Sequence, residues 1–420
     1  MRGGRLVGAG VTLGMLAGAP GAVAAGPDRP EGPPAYRTAP GAVAVRGAAS
    51  SDDGPRLAPG GGPYTDTLAP GERKFYTVEL DGRSSAYVSA VAAPAPGSAP
   101  GLRDGIEVSL RAEDGTRCGP GRHRTFLSVG GAYPLADYAE RVVRAGGPCA
   151  GAGTYRFVVE RGEAAGGDAA PVPVELAYVA EPPRDPVTAG GGAVTGGWSS
   201  QAPADAAGGG EAAEATEVEG GTGFNDAPEV RDGVWKDELR PGETRFYRVN
   251  VAQGRQLFAD AQFGGAGGPV PYVVGGARLG LSNAARGFVM NRTAGYQSGR
   301  AAVSLATPPA AYAGGGAADA VRGMALPGWY FLQVSLSPKA RPAGGVPVTL
   351  KVAVAEARPA EAPALGGSRP GPGAGGSARP EPGRTPDVRL LVIGYAGVGT
   401  GSALLVGLGA WMLARRRRAG

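Results

Sequence analysis

LAPGERKFYTVELDGRSSAYVSA runs from Leu68 to Ala90, and LRPGETRFYRVNVAQGRQLFADA runs from Leu239 to Ala261. The two align without a gap at an offset of 171 residues. Tyr76, Val78 and Leu80 fall on one face of the first phrase; Tyr247, Val249 and Val251 do so in the second. Period-two alternation of aromatic and β-branched residues predicts half-buried strands. Pro70-Gly71 and Pro241-Gly242 mark the turn before each strand.

The correspondence extends past the phrase. Val108 and Leu110 match Leu279 and Leu281 at the same offset. GTYRFVVER from Gly153 answers GWYFLQVSL from Gly328, and VPVELAYVA from Val172 answers VPVTLKVAV from Val346. Four segments in one order describe a duplicated domain. With no helical period sustained in either copy, short strands and Gly/Pro turns predict an all-β chain of two tandem β-sandwich domains. The expected boundaries are 61–182 and 231–356. The repeated phrase is read as a core strand with its turn, so its recurrence reports packing.

The motif order resembles a known family. A turn, then (R/K)FY-x-V, a strand ending in small residues, an L-x-(A/N)-x-x-G turn and G-x-Y-x-(F/L)-x-V is similar to the bacterial pre-peptidase C-terminal domain. The resemblance implies small jelly-roll-like sandwiches attached to secreted enzymes or surface proteins. Arg73-Lys74 and Thr244-Arg245 stand where that family carries an Asp ahead of its aromatic pair. The phrase is also similar to the membrane-proximal part of actinobacterial surface proteins with a von Willebrand A domain. That domain's Asp-x-Ser-x-Ser metal motif does not occur in this sequence.

The remaining segments are read from composition. Met1 to Gly26 has a positive start, an apolar run and Ala22-x-Ala24, which predicts a signal peptide over 1–25, cut after Ala24 or Ala25. Residues 26–60 and 183–230 are rich in Gly, Ala and Pro and are expected to be a disordered arm and linker. Residues 357–389 read as a Pro/Gly-rich stalk. LLVIGYAGVGTGSALLVGLGAWMLA, 390–414, is uncharged and about 37 Å long as a helix, enough to span a bilayer. Arg415, Arg416, Arg417 and Arg418 place the 415–420 tail in the cytoplasm. The expected localisation is therefore the plasma membrane, single-pass, with the large N-terminal region outside. Gly394, Gly397 and Gly401 could pair two such helices into a homodimer.

The net charge of +5 does not indicate nucleic acid. Without Arg2, Arg5 and the four C-terminal arginines, 36 basic residues face 37 acidic ones. Cys118 and Cys149, the only cysteines, are expected to form a disulfide in an exported domain. The loop they close is where the copies diverge most, and it carries Arg122, His123 and Arg124, a candidate weak contact for an anionic wall polymer. His123 is the sole histidine and has no G-x-S-x-G partner, so no hydrolase triad is expected. Asp104, Glu113 and Asp114 are expected to form turns; neither a metal nor another cofactor is implied. The composite expectation is a non-enzymatic surface protein that binds or spaces in the cell wall or extracellular space. The alternative is an accessory subunit of a membrane signalling or secretion assembly, docking through its helix.

Overall fold

The computed structural model describes residues 33–357, apart from 102, 127–132, 144–146, 182–197, 204–213, 266–269, 298–299, 312–317, 327 and 342–343. The segments read as signal peptide and membrane helix, with Gly394, Gly397, Gly401 and Arg415 to Arg418, lie outside the described residues. Among the described residues no helix is long and apolar enough to cross a membrane.

The first copy runs β1 (Val43–Ala44), β2 (Arg56–Leu57), β3 (Tyr64–Leu68), β4 (Arg73–Leu80), β5 (Ser85–Ala92), β6 (Gly105–Ala112), β7 (Arg122–Thr125), β8 (Leu135–Arg141), β9 (Gly153–Arg161) and β10 (Val172–Glu181). The second runs β11 (Thr216–Glu217), β12 (Gly233–Leu239), β13 (Thr244–Val251), β14 (Arg255–Phe263), β15 (Val273–Ser282), β16 (Phe288–Tyr296) and β17 (Ala301–Ala306). A single helical turn α1 (Asp319–Gly323) precedes β18 (Gly328–Leu336) and β19 (Val346–Glu356). The sheets are ordered β1-β3-β10-β5-β8 and β2-β4-β9-β6-β7 in the first copy, β11-β12-β19-β14-β17 and β13-β18-β15-β16 in the second. Each long strand thus has its counterpart at the same place in the other copy.

The repeated phrase builds β4 and β13 and the start of the next strand. Glu72 N–H closes a turn onto Ala69 at 3.1 Å, and Glu243 N–H onto Arg240 at 3.0 Å. Proline first and a glycine at φ +70° or +82° next is the type II pattern, which needs glycine at its third position. Beyond the turn, alternation sends Tyr76, Val78 and Leu80 into one core with Val88, Phe157 and Leu176. Tyr247, Val249 and Val251 enter the other with Leu257, Leu332 and Leu350.

Residues 33–60 and 214–230 depart from the expectation of disorder: they are laid along the sandwiches. β1 and β11 pair in parallel with β3 and β12. Just after β1 and β11 lies a polar hook, present twice. Asp66 accepts from Gly47 N–H (2.7 Å), Tyr76 OH (2.8 Å) and Lys74 Nζ (2.8 Å). Asp237 accepts from Gly220 N–H (2.9 Å) and Tyr247 OH (2.6 Å). A Cβ on Gly47 or Gly220 would come within 2.7–2.8 Å of the tyrosine ring, so only glycine passes there. Composition missed these segments because backbone and carboxylate bonds order them, with few apolar side chains.

Burial works to raise the Asp66 carboxyl, but the bonds from Gly47, Lys74, Thr67 and Tyr76 outweigh it and hold it below its ordinary value. A depressed carboxyl stabilises the fold above its unfolded value, about 3.9, and that contribution disappears as pH falls through the folded value. Asp66→Asn is therefore expected to cost about 1–3 kcal/mol near neutrality and progressively less in acid. Urea unfolding of both proteins across that range measures the difference; a constant gap at all pH values would refute the role.

Candidate functional site

The two sandwiches meet face to face, and the strand that makes this possible is β5. All seven residues from Ala86 to Ala92 are buried. Ala86, Val88, Ala90 and Ala92 enter the first core, while Tyr87 and Val91 point the other way into smaller clusters. A strand buried on both faces reads as an unbroken small apolar run, which SAYVSAVA is. Phe246 and Phe331 stand on the outer face of the second sandwich and join Val91, Ala136, Phe224, Ala227 and Tyr36. Phe224 meets Phe246 and Phe331 edge-on at 5.0 and 5.1 Å between ring centres.

Glu175 lies at the centre of the contact. Its neighbours in β10, Val174 and Leu176, face the first core, so Glu175 faces the second sandwich and is buried. It accepts from Tyr36 OH (2.6 Å), Ala39 N–H (3.1 Å) and Asn225 Nδ2 (3.1 Å), and it pairs with Arg286 at 3.0 Å. Burial, and then the adjacent Glu175, drive the Tyr36 hydroxyl well above its ordinary range, so it acts as a fixed donor. The turn between β15 and β16 delivers Arg286, which takes a left-handed conformation at φ +61°. Asn283 shapes that turn by accepting from Ala285 and Gly287 N–H and donating to Gly323. No sequence pattern announced Glu175, Asn225 or Tyr36 as partners; the isolated Tyr36 in a Pro/Gly-rich arm is the one visible oddity.

A second set of charges surrounds the strands of the expected anion contact. Arg122 pairs with Glu140 at 3.1 Å; Arg124 reaches Asp137 at 2.6 Å and Asp319 of the second sandwich at 2.8 Å. Arg322 binds Asp319 and stands 3.8 Å from Glu140. Burial alone would raise the Asp319 carboxyl, but Arg322 and Arg124 hold it below its ordinary value. Arg122 and Arg124 are thus neutralised by the chain's own carboxylates, which leaves the Arg122–His123–Arg124 stretch without the free cations that an anionic polymer would need. These residues form β7, and His123 is exposed. The divergent loop between the cysteines also holds β8, and both strands occupy the sheet positions of β16 and β17.

A cavity of about 210 Å3 opens at the same contact. Tyr133 and Leu135 line it from the first sandwich, and Arg278, Phe288, Asn291 and Gln333 from the second. His123 and Arg124 of the first sandwich line it too.

Cys118 and Cys149 form the disulfide, tying the β6–β7 loop to the β8–β9 loop. Replacing both with serine is expected to lower stability by about 2–4 kcal/mol, read from denaturant midpoints with and without reductant. An unchanged midpoint would show the bridge to be idle. Asp104 is buried in a two-pronged pair with Arg161 (2.9 and 2.7 Å), a structural assignment the sequence did not suggest. Asp114 accepts from Thr116 N–H at 2.8 Å in a turn. Glu113 lies in the same exposed turn. Among the described residues no cluster of His, Cys, Asp and Glu is arranged to hold a metal.

No protein-family model and no curated protein sequence matches the chain. Among solved structures it is similar to the pre-peptidase C-terminal domain of a collagenase from Bacillus anthracis, at 14% identity over 30% of this chain and 94% of that one, TM-score 0.19. It is also similar to a putative secreted protein from Parabacteroides distasonis, at 8% identity over 70% of this chain and 88% of that one, TM-score 0.20. A third likeness is the N-terminal CBM22-1–CBM22-2 tandem domain from Paenibacillus barcinonensis, at 10% identity over 70% and 91% of the two chains, TM-score 0.17.

Proposed function

We propose that this chain is a non-enzymatic surface protein, tethered by its 390–414 segment, in which the paired sandwiches act as one rigid binding and spacing body. The observation that carries the reading is the buried Glu175–Arg286 pair across the contact, with Tyr36 and Asn225 completing its bonds. Flexibly linked domains would leave such groups in water. Enclosing them costs several kcal/mol of desolvation unless the geometry is held, so their burial supports a fixed orientation. The disulfide supports an oxidising compartment outside the cytoplasm.

Affinity cross-linking on intact cells tests the reading, with the tagged full chain beside a version whose 390–414 segment is replaced by a neutral membrane helix. Recovery of the same wall polymer or partner from both is the expected result. Recovery only with the native segment would transfer the function to the helix and make the chain an assembly subunit.

A further inference from the structure

We infer that the cavity at the sandwich contact is a binding site for a small hydroxylated carboxylate of the sugar-acid class, anchored by Arg278. The inference deepens the binding reading above by naming a ligand class, and it does not depend on the tether.

Arg278 lies between Ala277 and Leu279 of β15, both of which face the second core, so its own side chain faces the first sandwich. It is only 5% exposed. Three other arginines are buried among the described residues, and each has acceptors on its Nη groups, although Nε of Arg141 is enclosed without one. Arg161 grips both oxygens of Asp104, Arg122 pairs with Glu140, and Arg141 donates to backbone carbonyls of Asp81 and Ser84. Arg278 has no such partner. Its Nε and Nη1 are enclosed without an acceptor, and no carboxylate among the described residues pairs with it. Burial lowers its pKa from the ordinary value, yet a guanidinium does not give up its proton in a protein. A buried, uncompensated cation beside a cavity is a costly arrangement that an incoming anion would relieve.

The surroundings select the anion. Tyr133 covers one face of the guanidinium, with its ring centre 4.7 Å from Cζ, which leaves the in-plane N–H edges for the ligand. Such an edge takes a carboxylate two-pronged, as Arg161 does with Asp104 at 2.9 and 2.7 Å. Arg124, the other cation at the cavity, is already neutralised by Asp137 and Asp319. One unbalanced positive charge therefore matches a monoanion; a doubly charged phosphate would bury a negative excess. Asn291 and Gln333, whose Nε2 already donates to Ser282 Oγ at 3.0 Å, give the cavity polar groups for hydroxyls, while Phe288 gives apolar wall. At about 210 Å3 the space is below the roughly 300–1,000 Å3 of drug-sized ligand sites, so it admits one ring rather than a chain. The anchoring arginine belongs to the second copy alone, because the first carries Glu107 at the aligned position.

The test uses the full chain, purified in detergent, with glucuronate, glucose and inorganic phosphate as probes in calorimetric titration and thermal unfolding. Glucuronate is expected to bind one per chain and raise Tm, with glucose and phosphate weaker by about tenfold or more. Arg278→Met should weaken glucuronate binding by at least about tenfold while its own Tm stays at or above that of the parent, since it removes an unpaired buried charge. Arg278→Lys should bind between the two, retaining charge without the fork. Equal binding of glucose or phosphate, undiminished binding by Arg278→Met, or no glucuronate binding by the parent would each overturn the inference. None of these outcomes bears on the intact-cell experiment, whose failure would leave the cavity's chemistry standing.

Discussion

Glu175→Ala is expected to lower stability by about 3–5 kcal/mol, the cost of breaking a buried ion pair from one side. The substitution leaves Arg286 enclosed without its counter-charge and the Tyr36 hydroxyl without its acceptor, while the Asn225 amide keeps only the Arg37 carbonyl. The loss is specific to the contact, because Glu175 touches neither core. A double variant, Glu175→Gln with Arg286→Met, removes the stranded charge and is expected to recover much of the stability. Denaturant unfolding of the three proteins measures both effects. If Glu175→Ala unfolds within about 0.5 kcal/mol of the parent, the range of an ordinary surface change, the carboxylate is solvated and the contact is open.

The second large effect is steric. A Cβ on Gly287 would sit 1.7 Å from Cε1 of Tyr138, so the β15–β16 turn is pressed against the first sandwich with no room for a side chain. Tyr138 is itself buried against Tyr87, ring centres 5.3 Å apart, and cannot swing aside. Gly287→Leu is expected to drive the faces apart at a cost of about 3 kcal/mol, the upper end of over-packing effects. Neither core includes this position, so each sandwich keeps its own packing. The thermal transition should then split in two, with new protease cleavage in 183–230. An unsplit transition at the parent's Tm would show that the turn does not bear on Tyr138.

The strands of each sandwich were legible because one rule generates them. Alternation around Tyr76, Tyr247, Phe157 and Leu332 is local, and the gapless phrase fixed the pairing of equivalent strands before any contact was known. Tracing the duplication further upstream needed the structure. The hook aligns Gly47 with Gly220 at an offset of 173, two residues longer than the phrase, and its chemistry is a carboxylate and a backbone N–H that periodicity does not register. A chain started at Gly60 would lose the first hook along with Tyr36, so the arm belongs to the folded body.

The contact was hidden for a different reason. It joins residues far apart in the chain that are individually ordinary: one acid in VPVELAYVA, one asparagine in a glycine-rich stretch, one arginine in a turn. Only β5 carried a readable hint, since seven consecutive apolar or small residues have no solvent-facing alternation. The Arg122–His123–Arg124 stretch misled because charge in a sequence shows neither sign of the neighbours. Asp137, Glu140 and Asp319 supply those neighbours from another strand and from the other sandwich.

The central claim is that the two sandwiches form one body with a fixed orientation. Spin labels at Val179 and Val274, exposed positions on different sandwiches, would report the distance between them in the full chain in detergent. A single narrow distance distribution, broadened by Glu175→Ala, is the predicted result. A broad distribution in the parent, unaffected by that substitution, would contradict it and return the sandwiches to independent domains on a linker.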